Sequence, residues 1–206
     1  LYPIVDNLEN IMLIENGPER PPDNEIWHSD MTFRPIPPHC SLLQAKVLPP
    51  RGGDTMFTNM CEAYNELSQA MKDFLRDKTA FHDGEIDLAN YGIRLRVGQS
   101  YPQSSHPVIT KHPVTGKAIL YVNKSFTSHI EQLKKWESDA VLSGLYDFIE
   151  RNLRTQCRVK WTTNTLVMWD NRSVQHQAIR DYVGYARYGE RVSIVPKEKP
   201  IAYFQD

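Results

Sequence analysis

Apolar and β-branched residues cluster in short runs along the chain, at 10–14, 41–47, 118–122, 158–163, 165–169 and 191–195. Runs of this length and composition predict strands. Two stretches instead repeat apolar residues at helical spacing. One is 61–78, with Leu67, Met71, Phe74 and Leu75 on one face; the other is 138–153, with Val141, Leu142, Leu145, Ile149 and Leu153. Proline-rich turns at 35–38 and 49–50 punctuate the strands. Short strands, such turns and two amphipathic helices predict a mainly β fold, a sandwich closed as a jelly roll with helices laid against one sheet. Residues 98–105, around Pro102, read as a mobile loop at the border of a site.

Composition narrows the partners. The 206 residues, 40% of them apolar, suffice for one sizeable core, and neither a repeat nor a linker divides them, so a single domain over 1–206 is expected. With 24 basic against 25 acidic residues, the chain has no electrostatic footprint for nucleic acid or an anionic membrane surface. A small-molecule partner is expected. Cys40, Cys61 and Cys157 are odd in number and widely spaced, which argues against a disulfide framework and a structural zinc site and favours a reducing cytoplasm. No apolar run is long enough to span a bilayer, and Leu1-Tyr2-Pro3-Ile4 lacks the form of a signal peptide.

The candidate chemistry lies in His28-Ser29-Asp30 and in His176, which follows Trp169-Asp170-Asn171-Arg172. Two histidines and a carboxylate can occupy one face of an octahedral Fe(II), leaving the opposite positions open. On a strand, residues 28 and 30 point to one face, which suits the interior of a barrel. A bare His-x-Asp serves equally as a hydrogen-bonded turn, so its surroundings decide. Thr55 follows Gly52-Gly53-Asp54, and Arg187 and Arg191 share one strand face. A chelating 2-oxo dicarboxylate needs a cation and a hydroxyl at its far carboxylate, and arginine is a planar, permanently charged donor for that purpose.

These motifs resemble the taurine dioxygenase and 2,4-dichlorophenoxyacetate dioxygenase family of Fe(II)/2-oxoglutarate oxygenases. The resemblance runs through Trp27-His28-Ser29-Asp30-Met31-Thr32-Phe33, Pro49-Pro50-Arg51-Gly52-Gly53-Asp54-Thr55, His112-Pro113-Val114-Thr115-Gly116-Lys117, Val122-Asn123-Lys124-Ser125-Phe126-Thr127 and Arg191-Val192-Ser193-Ile194, most of the chain. It implies a double-stranded β-helix with iron bound by His28, Asp30 and His176, and 2-oxoglutarate gripped by Thr55 and Arg187. It also implies an anionic substrate held by Arg191, Tyr2 and Asn24 between apolar walls at Phe33 and Phe126. The implied reaction is O2-dependent hydroxylation, with succinate and CO2 as co-products, of a sulfonate such as taurine, releasing sulfite; an alkyl sulfate or aryloxyalkanoate is the alternative. A homo-oligomer, dimer or tetramer, is implied as well. In family terms the chain opens inside the domain, so its N-terminal part is expected to be absent, and residues 83–105 lack the aromatic lid residue of taurine dioxygenases.

Alternatives of another class are a cupin-like metal protein that is no oxygenase, for which Thr55 and Arg187 would have no purpose, and a non-catalytic association domain. Trp27 and Trp169 read as core. His39, His82, His106, His112 and His129 lack ligand-like company and read as surface or hydrogen-bonded groups, with His82-Asp83 kept as a pocket-edge pair. Arg172 reads as the ion-pair or turn residue of the loop presenting His176. For Arg191, an ion pair with Asp170 or Glu190 is the structural alternative.

Overall fold

A computed structural model describes residues 4–5, 8–19, 25–85, 95 and 98–204. Strands β1 (Ile4–Val5), β2 (Leu8–Asn16), β13 (Arg187–Ile194), β3 (Cys40–Val47) and β11 (Leu166–Asp170) pair in that order as one five-stranded sheet. Strands β10 (Gln156–Val159), β4 (Thr55–Asn59) and β12 (Val174–Ala178) form a second sheet, all pairs antiparallel. Leu43 and Ala45 of β3 and Trp169 of β11 pack on Phe57 of β4 and on Trp161, so the two sheets face each other across a shared core. This is the jelly roll that the strand pattern predicts.

A second core lies outside the sandwich. Helix α1 (Met60–Asn65), α3 (Lys135–Arg151) and the hairpin of β7 (Ile109–Lys111) and β8 (Ala118–Leu120) bury Met60, Ala63, Ile109, Leu120, Leu142, Leu145 and Ile149 together. Strands β6 (Gln103–Pro107), β5 (Thr79–Asp83) and β9 (Thr127–Ile130) form a third sheet beside it. Among the described residues, no helix is long and apolar enough to cross a membrane, and all three cysteines are free.

Four expectations change. The strand expected over 158–163 is β10, which ends at Val159. The helix expected over 61–78 breaks into α1 and α2 (Gln69–Leu75), because the Ser68 hydroxyl accepts from Met71 N and starts a new helix. In it Leu75 is buried, while Phe74 is 40% exposed. The second helix begins three residues earlier than expected, at Lys135, where the Glu137 carboxylate accepts from Lys134 N, and it ends before Leu153, which is 76% exposed in a short 3-10 turn. The stretch expected as a mobile loop, 98–105, ends in β6, which pairs residue by residue with β5, and its Tyr101 packs on Phe33 and Phe126.

Candidate active site

His28 and Asp30 do not sit on a strand, as their spacing suggested. His28 makes a single bridge to β12, donating its N–H to His176 O at 3.1 Å and accepting from His176 N at 2.8 Å. The chain then turns: Asp30 opens a bend in which Met31 has φ +52° and Arg34 N returns to Met31 O. Asn171, 1% exposed, holds that bend. Its Oδ1 accepts from Asp30 N at 2.7 Å, and its Nδ2 donates to Asp30 O at 3.1 Å and Pro38 O at 2.8 Å. An alternating strand is therefore not what converges these side chains; a bridge and an asparagine clamp are.

His28, Asp30 and His176 are buried, and their candidate ligand atoms lie within 4.8 Å of one another. Asp30 Oδ1 stands 3.8 Å from Nε2 of each histidine. That is too long for a hydrogen bond, but it is within the span of two metal–ligand bonds of about 2.0–2.2 Å meeting at one ion. The His28 ring N–H fits at Nδ1, 2.7 Å from Ile26 O, which leaves Nε2 with its lone pair toward the cluster. The other carboxylate oxygen, Oδ2, accepts from Ser41 Oγ at 3.1 Å and is ion-paired with Arg191, which also donates to Ser41 Oγ. Burial raises the Asp30 pKa, but Arg191, His176 and His28 outweigh it and hold the carboxyl well below its usual range. Burial, with His28 beside it, pushes His176 down to about 3, so its ring is a neutral ligand at pH 7. Two imidazoles and one carboxylate with its second oxygen already engaged form a donor set that fits Fe(II).

A narrow cavity opens beside His176, lined among others by Thr55, Phe57, Trp161, Trp169, Arg187 and Arg191. Strand register puts these residues there. Ala178 faces Thr55 and His176 faces Phe57 on β12 and β4, while Arg187 and Arg191 are the buried, inward positions of β13, on the opposite sheet. Between them stands Gly189, where a Cβ would come within 3.0 Å of Gln44 O. Arg187 is 7% exposed, and its Nε donates to Gly53 O at 3.1 Å. No carboxylate among the described residues lies within ion-pair distance of it, and burial lowers its pKa. The Thr55 hydroxyl accepts from Trp161 Nε1 at 3.0 Å, so its own proton is free to point elsewhere.

Phe33 and Phe126 pack edge to face, ring centroids 5.1 Å apart, and Phe126 stands edge-on to the His28 ring at 6.2 Å. They wall the metal cluster on the His28 side, whereas Thr55 and Arg187 lie on the His176 side. Tyr2 and Asn24 fall outside the described residues. Arg191 takes neither expected structural partner, pairing with Asp30 rather than Asp170 or Glu190. Arg172 binds Asp170 through Nε at 2.8 Å and Nη2 at 2.6 Å, the ion pair expected for the turn before His176. His82 is not at a pocket edge: it is fully buried, at 0% exposure, against Thr32, Thr127 and His106. Trp27 and Trp169 are core residues, as expected, although Trp169 also contacts the His176 ring at 4.9 Å. Ser41 and Asn171 were not singled out from the sequence as site residues. Asn171 sits in the motif Trp169-Asp170-Asn171-Arg172, but nothing local in sequence points it at Asp30.

Residues 3–193 match the family described as taurine catabolism dioxygenase TauD, TfdA family. A Saccharomyces cerevisiae protein named alpha-ketoglutarate-dependent sulfonate dioxygenase is 36% identical over 160 residues, covering 76% of this chain and 38% of that protein. A Pseudomonas putida protein named alpha-ketoglutarate-dependent sulfate ester dioxygenase is 27% identical over 202 residues, 93% of this chain and 66% of the relative. The solved structure of a taurine dioxygenase from Burkholderia xenovorans superposes with a TM-score of 0.81 at 29% identity, over 98% of this chain and 67% of the other. This chain thus spans less than two thirds of the length of the two named relatives.

Proposed function

The chain belongs to the TauD, TfdA family of taurine catabolism dioxygenases, and on that premise we propose that it hydroxylates a small organic anion, a sulfonate first, using Fe(II), O2 and 2-oxoglutarate. His28, Asp30 and His176 would hold the iron. Bound there, Fe(II) supplies activation of O2 coupled to decarboxylation of 2-oxoglutarate, so that one oxygen atom ends in succinate and the other in the substrate C–H bond.

The observation that carries the reading is Arg187, a buried guanidinium with no carboxylate among the described residues within ion-pair distance, lining the same cavity as His176. Tyr182 and Asp54 offset its burial only in part; a buried charge without a paired anion is costly, and an anionic co-substrate supplies the missing partner. A metal protein that is no oxygenase has no use for it. In this reading Arg187 and Thr55 hold the distal carboxylate of 2-oxoglutarate. Asp30 keeps one oxygen for the metal because Arg191 and Ser41 engage the other. Arg191 Nε, buried without a partner among the described residues, is the group left for a substrate anion, and Phe33 and Phe126 exclude water from the reacting carbon.

The Pseudomonas relative's name supports sulfate esters as a second substrate class. The test is succinate formation by the full-length protein with Fe(II), 2-oxoglutarate and air, screened against taurine, other sulfonates, alkyl sulfates and aryloxyacetates. Stimulation by sulfonates with sulfite release supports the first reading, and stimulation by sulfates alone replaces it with the second. Succinate that no anion stimulates overturns both. The same reading puts the enzyme in the cytoplasm, as its free cysteines suggest, as a homodimer or homotetramer without nucleic-acid or membrane partners; light scattering of the purified protein tests the assembly.

A further inference from the structure

A second cavity, of about 280 Å³, lies between the turn at residues 37–39, the β7–β8 hairpin and the chain that follows β13. It shares no lining residue with the cavity beside His176. Its outer wall is tied down by main-chain pairing: Lys111 N donates to Ile201 O at 3.0 Å, and Tyr203 N to Ile109 O at 3.1 Å. The inner wall meets the metal site through one residue, because Asn171 donates to both Pro38 O and His39 O while clamping Asp30.

The lining is built in two zones. Prolines, with Val114, Ile119 and Ile201, make an apolar slot. Deep in it stand two unused polar groups. Tyr121 is 6% exposed, with its ring packed on His82 and His106, and none of the described residues hydrogen-bonds its hydroxyl. His39 Nδ1 is buried and equally without a partner among the described residues. At the mouth, Lys111, Lys197 and Lys199 carry no ion pair among the described residues and face a single acid, Glu198; Arg172 is already neutralised by Asp170. An apolar slot with hydrogen-bonding groups at its floor and uncompensated cations at its rim is complementary to one kind of small molecule.

We propose that this cavity binds a hydroxyaryl carboxylate, with the ring between the prolines and isoleucines, the ring hydroxyl at Tyr121 and His39, and the carboxylate at the lysine rim. The site is independent of the catalytic reading. The test is calorimetric titration of the full-length protein, with Mn(II) and 2-oxoglutarate saturating, using 4-hydroxybenzoate as the probe. One saturable site per chain is expected. The double variant Lys197→Glu/Lys199→Glu should weaken it by about tenfold or more, and Tyr121→Phe by about threefold or more. Because none of the described residues hydrogen-bonds the Tyr121 hydroxyl, that variant is expected to keep the fold, which circular dichroism checks. Saturable binding weakened by both variants supports the site. No saturation up to about 10 mM, or binding that either variant leaves unchanged, overturns it.

Discussion

His28 and His176 exchange both of their backbone hydrogen bonds, so the two imidazoles, from opposite ends of the sequence, are fixed side by side across a single bridge with ring centroids 4.3 Å apart. The metal site is thus a property of the closed sandwich and not of either segment alone. Replacing His176 with Ala removes a ligand without touching that backbone pair. Affinity for Mn(II), read by its electron paramagnetic resonance as a stand-in for Fe(II), should fall by more than about 100-fold, with the circular dichroism unchanged. Retained Mn(II) affinity would remove His176 from the ligand set.

Arg187 and Arg172 provide a controlled comparison for the co-substrate. Both are arginines near the site, but Arg172 is paired with Asp170, whereas no carboxylate among the described residues lies within ion-pair distance of Arg187. Arg187→Ala should weaken 2-oxoglutarate by about 2–4 kcal/mol, roughly 30- to 1000-fold in KM. Arg172→Ala should move that KM by less than about threefold. Equal effects would contradict the assignment of the distal carboxylate to Arg187.

The ligands, Thr55, and the shared face of Arg187 and Arg191 were legible because chemically distinctive residues sat at informative spacings. So were the strands that carry apolar runs, β3, β11 and the second half of β13. Strands β4, β5 and β12 were not. Thr55–Asn59 and Val174–Ala178 mix threonine, glutamine and histidine with few apolar residues, since their inward positions carry the site. A strand that lines polar chemistry loses the alternation by which strands are read. Asn171 escaped for a different reason: its three side-chain bonds reach Asp30 and Pro38, partners that only the tertiary fold brings near.

Asn171 therefore carries a prediction of its own. Asn171→Ala leaves Asp30 N, Asp30 O and Pro38 O without partners among the described residues, at a cost on the order of 3 kcal/mol. It also frees the bend that aims Asp30. Urea denaturation should show the loss of stability, and Mn(II) affinity should drop by about 10- to 100-fold even though no ligand has been removed. A stability loss with Mn(II) affinity intact would make Asn171 a purely structural residue.

Buried histidines set the acid limb of stability. Thr32 Oγ1 accepts from Asn123 Nδ2 at 3.0 Å and Thr127 Oγ1 accepts from Asn123 N at 2.9 Å, so both hydroxyls are left to donate toward His82 Nδ1. The ring is held neutral, and burial, then His106, puts its pKa well below 6.5; burial lowers His106 too. Between those depressed values and 6.5 the unfolded chain binds more protons than the folded one, so stability rises with pH up to about 6.5 and is lost as pH falls below it. The urea midpoint of the metal-free protein should drop between pH 7 and pH 5, and His82→Asn should flatten that slope. An unchanged slope in the variant would place the acid sensitivity elsewhere.

Arg191 and a bound metal should be partly interchangeable, because both neutralise Asp30. Without metal, Arg191 is the cation that keeps a buried carboxylate ionised, with Ser41 as its neutral helper. Arg191→Met keeps the apolar stem against Trp169 but removes the charge, and stranding one member of a buried pair costs about 3–5 kcal/mol. A divalent ion at His28, Asp30 and His176 supplies that charge from the other oxygen. The loss of stability in Arg191→Met should therefore be several kcal/mol by urea denaturation in EDTA and clearly smaller in saturating Mn(II). If Arg191 instead acted only as a packing residue, the loss would be the same in both buffers. The pairing of one guanidinium and one metal on the two oxygens of a single carboxylate would then have no energetic meaning.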